Sequence, residues 1–284
     1  MLQVYLKTVT QKGNDSFVMQ ILNDCFMSSI LFEIKDGVGI ITLNRPDKFN
    51  AINHEMALLL KETLDKCAGL DEVRCIYITG TPPAFCAGQD LSEVIETADE
   101  KVSMLLREQY NPLVWKIRTI EKPVVVAING VAAGAGANLA FCCDVVVAAE
   151  SVYFTQAFSK IGLVPDTGGT YILPRFVGWQ KASALMMLAD KIAAPDAERM
   201  GMLYKVFPDA VFLEESMKIA AKLALMPTRS LAFIKHALNY SAINSFEEQL
   251  KVEDDYQKKA LQTHDYKEGV SAFLEKRTPN FTGE

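Results

Sequence analysis

Basic charge is scarce and scattered in this 284-residue chain, where 29 Lys and Arg stand against 35 Asp and Glu. The net charge is −6 and the pI is near 5.3. A nucleic-acid ligand is held by a clustered basic face, and the densest group here is the short run Glu275-Lys276-Arg277, so nucleic acid is excluded as the main partner. Histidine is rarer still. His54, His236 and His264 stand alone on helical stretches, without metal-ligand spacing to any cysteine, so no metal centre is expected. The six cysteines (Cys25, Cys67, Cys75, Cys86, Cys142 and Cys143) form no C-x-x-C pair. A 31.5 kDa chain needs no disulfide staple, and these thiols read as reduced, buried small hydrophobes of a cytoplasmic protein. Long apolar runs are missing as well. Residues 123–149, the most apolar stretch, are interrupted by Asn129, Asn138 and Asp144, which suits buried core and gives no membrane span. The first 27 residues lack the continuous apolar centre of a secretory signal. They are polar and unpatterned, and Met27 followed by "SSILFEI" reads as a second possible start, so residues 1–27 are expected to be an N-terminal extension of doubtful order.

Common catalytic signatures are also absent. "NGVAAGAGANLA" follows a strand and enters a helix, but Leu139 stands where the third glycine of G-x-G-x-x-G belongs. No Walker A sequence and no G-x-S-x-G elbow occur, which removes the usual phosphate cradle and the serine hydrolases.

What is present is an ordered alternation. "ILFEIKDGVGIITL" is two β-rich runs around Asp36-Gly37, a hairpin signal. "NHEMALLLKETLDKCAG" has helical spacing with Gly69 as its stop, and "VRCIYIT" is a buried strand before the loop "GTPPAFCAGQDL". Residues 99–119 read as a helix that Pro112 kinks or breaks. "PVVVAI" and "DVVVAAE" are further strands, and beyond residue 178 the chain is nearly all helical apart from "LYKVF". With 50% hydrophobic residues there is ample core, and the pattern is α/β with a helical end.

Two small-residue turns, "FCAGQDL" and "NGVAAGAGANL", each follow a strand, and free N–H groups at such turns can hold developing negative charge. In "GLVPDTGGTYILPR", Asp166 sits between a proline and two glycines. Asp166 or Thr167 can cap the helix that begins at those glycines, or Asp166 can be a base directed into a pocket. Phe158, Val164 and Ile172 are expected to bury it and raise its pKa.

"ITLNRPDKFNAIN", "AFCAGQDL", "KPVVVAINGVAAGAGANLAFCCDVVVAAE", "FSKIGLVPDTGGTYILPRFVG" and "GVSAFLEKRTPNF" occur in that order from about Ile30 to the C-terminus. Together they resemble the crotonase (enoyl-CoA hydratase/isomerase) superfamily. The resemblance implies a β-β-α spiral core over 28–210, a C-terminal helical trimerisation region over 211–284, and trimers or paired trimers. It implies acyl-CoA thioester substrates, with coenzyme A part of the substrate and no separate cofactor. Gln89 and Ala135 match the residues whose backbone N–H groups form the oxyanion hole; Ala135 replaces a glycine common in relatives. Phe49 and Ala51 match positions passed by pantetheine and nucleotide, Ala87 and Leu91 match backbone contacts to adenine, and Asp90 shares their loop. Phe273 and Lys276 match a C-terminal pair that often meets coenzyme A, sometimes from a neighbouring subunit; as residues alone they read equally as a core ring and a solvated charge. Hydratases of the family use two glutamates, whereas Asn138 and Phe158 stand at those positions here. Asp166 falls where some relatives carry a single working carboxylate. The pattern is most like the isomerase branch, which shifts a double bond or opens a ring epoxide of a phenylacetyl thioester, with Asp166 as proton shuttle. A hydratase with atypical acid–base groups and a noncatalytic acyl-CoA binder are the alternatives. Met104, Leu105, Tyr110, Leu113 and Trp115 fall in a region that often lines the acyl pocket, although such a stripe is ordinarily core.

Overall fold

A computed structural model describes residues 28–93 and 104–284. The expected extension over 1–27, with Cys25, and the beginning of the helix expected at 99–119 lie outside the described residues.

The hairpin comes first. β1 (Ile30–Lys35) and β2 (Val38–Leu43) pair antiparallel, with Lys35 opposite Val38. Asp36 and Gly37 have φ of 50° and 77°, the paired positive angles of a type I′ turn. Helix α1 (His54–Gly69) begins where the Asn53 side chain accepts the Met56 N–H at 3.0 Å. Met56, Leu60, Leu64 and Cys67 recur at helical spacing and form its buried face.

The spiral follows from three strand pairs. β3 (Cys75–Gly80) leads to β4 (Ala84–Cys86), β5 (Val124–Ile128) to β6 (Val131–Ala133), and β7 (Val145–Ala149) to β8 (Tyr153–Thr155). Two short strands, β9 (Ile192–Ala193) and β10 (Lys205–Phe207), complete the set. The first strand of each pair joins a six-stranded sheet ordered β1-β2-β3-β5-β7-β10, and the second turns into a four-stranded sheet ordered β4-β6-β8-β9. Neighbours run parallel except at β1/β2 and β8/β9. Every residue of β3 and β5 is buried, which is why those strands read as unbroken apolar runs. This is the expected α/β spiral.

Between β4 and β5 the helical stretch contains a π turn, Leu106–Tyr110, that runs into α2 (Asn111–Thr119). The Asn111 N–H reaches back five residues to Leu106 O, and Pro112, which has no N–H to give, follows at the start of α2. The proline irregularity expected there is thus a widened turn. Tyr110 and Leu113 are core, whereas Trp115 is exposed. Helix α3 (Gly134–Phe141) is buried along its whole length.

The helical end comprises α4 (Gly169–Val177), α5 (Trp179–Leu188), α6 (Ala194–Arg199), α7 (Phe212–Ala224), α8 (Thr228–Ser241), α9 (Phe246–Leu261) and α10 (His264–Glu275). Polar ties fasten it to the spiral. Lys235 of α8 is buried and reaches Asp144 at 2.8 Å, and Asp144 also accepts the Val124 N–H at 2.9 Å. Arg74 donates to Thr228 Oγ1 and to the carbonyls of Met226 and Phe281. The described cysteines are free and buried. Burial pushes the Cys67 thiol up to about 11 and Cys86 and Cys142 to about 12, so all three are protonated at neutral pH. Among the described residues no helix is long and apolar enough to cross a membrane.

Candidate active site

Two loops frame the site. Residues 44–51 form one, and there Phe49 and Asn50 both have positive φ, 51° and 53°. Asn50 is fully buried. Its amide donates to Thr81 O at 2.8 Å and Ala84 O at 2.7 Å, and its oxygen accepts the Arg45 N–H at 2.8 Å. Asparagine tolerates the left-handed region, so a single side chain can brace both loops. Arg45 then pairs with Asp90 at 2.9 Å, in the second loop. Ser92 donates to the Asp90 carboxylate at 2.7 Å. Ser92 first, then Arg45, hold that carboxyl below the usual range. Asp90 is therefore a fixed anion that sets the loop. Asn50 and Arg45 were not singled out by sequence, although Asn50 stands in the quoted run "DKFNAIN".

The two turns meet. Gly88 has φ of 97°, and a Cβ there would lie 3.0 Å from Ala133 O and 3.4 Å from the Ala135 nitrogen. Gly136 is equally tight, since a Cβ would fall 2.5 Å from Cys86 O. Residues 88 and 90, through the Gly88 carbonyl and Asp90 N–H, pair with Ile52, which leaves the Gln89 N–H out of that bridge. The Ala135 N–H lies in the first turn of α3, where intrahelical acceptors are lacking, and Ala133 supplies no side-chain cap. Two main-chain donors thus stand at neighbouring bends, an arrangement able to stabilise a carbonyl oxygen as it gains negative charge. The Gln89 side chain is held from behind, because the buried Tyr110 hydroxyl donates to its Oε1 at 2.7 Å. Burial drives the Tyr110 pKa far up, so this donor does not ionise at physiological pH.

One helical turn beyond Ala135, Asn138 is fully buried and both ends of its amide are engaged. Its nitrogen donates to Asp166 O at 2.9 Å and its oxygen accepts from Gln156 Nε2 at 2.8 Å. Residues three apart on a helix sit about 5–6 Å from one another, so this bond brings Asp166 to the side of α3 that begins with the Ala135 donor. Phe158 is buried against Gly134, its ring 3.7 Å from where a Cβ would stand. The Asp166 carboxyl is half-buried, and it accepts the Thr167 hydroxyl at 2.7 Å. Burial raises its pKa above the ordinary aspartate value, and the Thr167 bond opposes that rise only in part.

Helix capping, one of the two roles open to Asp166 and Thr167, is not what they do. The N-cap of α4 is Gly168, at φ 76°, and no side chain caps it. A second correction concerns Val164, which is 76% exposed and so does not help to bury Asp166; Phe158 and Ile172 remain on the core side.

The remaining predicted positions divide. Ala87 donates to Phe49 O at 3.0 Å, which brings those residues side by side with the buried Ala51. Phe49 and Leu91 are 52% and 45% exposed, so neither is a core residue. Phe273 is likewise no core residue, at 83% exposure. It lies with the exposed Lys276 at the end of α10, a helix packed on α9 and apart from the two turns of its own chain. Among the described residues no group of three His, Cys, Asp or Glu side chains converges as metal ligands would.

The sequence model of the enoyl-CoA hydratase/isomerase family matches residues 33–284. The 1,2-epoxyphenylacetyl-CoA isomerase of Escherichia coli K12 is 44% identical over 261 residues, covering 91% of this chain and all of that protein. A Rhodobacter capsulatus protein named "Probable enoyl-CoA hydratase" is also 44% identical, over 257 residues, 90% of this chain and 98% of its own. Among solved structures, the enoyl-CoA hydratase of Bacillus anthracis superposes with a TM-score of 0.86 at 29% identity, covering 90% of this chain and all of that one. Fold, ordered motifs and relatives agree: the chain belongs to the enoyl-CoA hydratase/isomerase family.

Proposed function

We propose that the protein is an acyl-CoA isomerase that works through a thioester enolate, with Asp166 as its proton carrier. The observation that carries this reading is the chemistry beside the two turns. At the two positions where hydratases of the family keep glutamates, Asn138 has both amide ends committed and Phe158 has no proton to exchange. The half-buried Asp166, its pKa raised by burial, carries a titratable carboxyl, and its main-chain carbonyl is tied to that same helix by Asn138.

In this reading the thioester oxygen lies between the N–H groups of Gln89 and Ala135. Asp166 takes a proton from the carbon next to the carbonyl, and the C–H electron pair flows into the carbonyl to give an enolate, extended to a dienolate when a 3,4 double bond follows. The same carboxyl then returns the proton two carbons further on, and the double bond moves into conjugation. A ring epoxide can open and rearrange in the same cradle, which is the chemistry named for the Escherichia coli relative. Each oxyanion donor is worth about 3 kcal/mol of barrier, and a general base about a hundred- to ten-thousandfold in rate. The nucleotide end of coenzyme A runs along Phe49, Ala51, Ala87 and Leu91, over the loop that Asp90 anchors. A neighbouring copy, in a trimer or pair of trimers, brings Phe273 and Lys276 to it.

The relative named as a hydratase makes that chemistry the rival. Separate incubations with a 3-enoyl-CoA and with crotonyl-CoA, followed at the conjugated thioester absorbance, distinguish them. The proposal expects absorbance to rise with the first and stay constant with the second. A fall with crotonyl-CoA shows a hydratase, and no change in either, together with thioester binding by calorimetry, shows a noncatalytic binder.

A further inference from the structure

Thr167 combines three features that seldom coincide. It is β-branched, it is 2% exposed, and its φ is 53°, in the left-handed region that such residues avoid. A conformation of that kind persists only where its surroundings enforce it, and such residues cluster at working sites. Glycines stand at 168 and 169, so the chain had permissive residues adjacent and still carries threonine at this point. The side chain is committed to Asp166 alone. Its hydroxyl donates to Asp166 Oδ1 at 2.7 Å, while its carbonyl accepts the Cys142 thiol at 3.6 Å. The other side of Asp166 is held by Asn138, and Gly169 is what allows that approach, because a Cβ there would fall 2.3 Å from the Asn138 nitrogen.

We infer that Thr167 is a positioning residue for the proton transfer: its strained backbone aims a hydroxyl at one oxygen of Asp166, fixing the carboxylate's orientation. The inference rests on the assignment of Asp166 as proton carrier. A hydroxyl donated to a carboxylate favours the charged form, so it keeps the base ionised against the desolvation that surrounds it. The Asp166 main-chain N–H acts in the same direction to a smaller extent, and the other side chains nearby do not. Tyr110, from the π turn, and Cys142, at the end of α3, both have raised pKa values and stay neutral through the working range. Asp90 is paired with Arg45, and Glu93 hydrogen-bonds the His54 N–H. On the flanking helical turns Lys160 is exposed and Arg175 is folded onto its own Tyr171.

The test measures kcat, KM and the acid limb of the pH–rate profile with a 3-enoyl-CoA, on three variants beside Asp166→Asn. Thr167→Val removes the hydroxyl and keeps the shape; kcat should fall about tenfold, KM should hold, and the acid limb should move up by about one pH unit. Thr167→Gly also lacks the hydroxyl but relaxes the backbone, so it folds even where valine does not, and it should show the same upward limb. Thr167→Ser keeps the donor and should keep the parental limb. A parental limb and rate in Thr167→Val or Thr167→Gly overturns the inference, as does an equal loss in Thr167→Ser, which would mark a packing role. If Asp166→Asn itself turns over normally, the proton-carrier assignment has failed; if it is inactive while the glycine variant is parental, only Thr167 has been misassigned.

Discussion

The Asp166 carboxyl lies where burial disfavours its charged form, and this has a consequence for stability. A carboxyl whose pKa is higher in the folded than in the unfolded chain stabilises the fold while protonated. That contribution is complete below about pH 4 and is lost as pH rises through the raised folded value. Asp166→Asn is neutral throughout, so it should melt at a higher temperature than the parent at pH 7, with the gap closing as pH falls toward 4. Scanning calorimetry at both pH values checks this, and a variant that melts lower at pH 7 contradicts the burial argument. Asn50 makes the opposite case. Asn50→Ala strands the Thr81 and Ala84 carbonyls and places alanine at φ 53°, so it should destabilise by about 3 kcal/mol in urea titration. Arg45 and Asp90 follow the usual rule for a lowered carboxyl: their pairing is present above about pH 4 and fades in acid.

At the scale of elements, the site is the contact between two bends, and Gly88 sets their spacing. Gly88→Ala adds a methyl 3.0 Å from Ala133 O at a φ of 97°, so the bends must separate. Since a displacement of about 1 Å can cost a hundredfold in rate, turnover should fall by about that factor while the variant stays folded by circular dichroism. A second element-level prediction concerns α8. Removing one partner of a buried ion pair leaves the other charge uncompensated, so Lys235→Met should destabilise by about 3 kcal/mol in denaturant unfolding. Double substitution with Asp144→Asn should recover part of that loss.

For the molecule as a whole, the alternation of apolar strands and helices was legible because both faces of β3 and β5 are covered and the runs are unbroken. The hairpin was legible because Asp36-Gly37 announces its own turn. The ordered motifs carried the outline of the candidate site: the loop with Gly88 packs against the start of α3, and Asn138 of that helix binds the Asp166 main-chain carbonyl. What stayed hidden depends on contacts distant in sequence. Asn50 braces residues 31 and 34 positions away, and Asn138 binds a carbonyl 28 positions on, neither with a local signature. The helix cap at Asp166 failed for a local reason, since Thr167 and Gly168 both take positive φ and Gly168 becomes the cap. Phe49, Phe273 and Val164 show that an apolar residue type does not say which side of the surface it occupies. The central claim is that a carboxyl at position 166 moves the proton while the main-chain donors hold the thioester. The direct measurement is single-turnover conversion of a 3-enoyl-CoA by Asp166→Asn, with binding followed by calorimetry in the same sample. The account predicts near-parental affinity and no appearance of the conjugated thioester; conversion at the parental rate would contradict it.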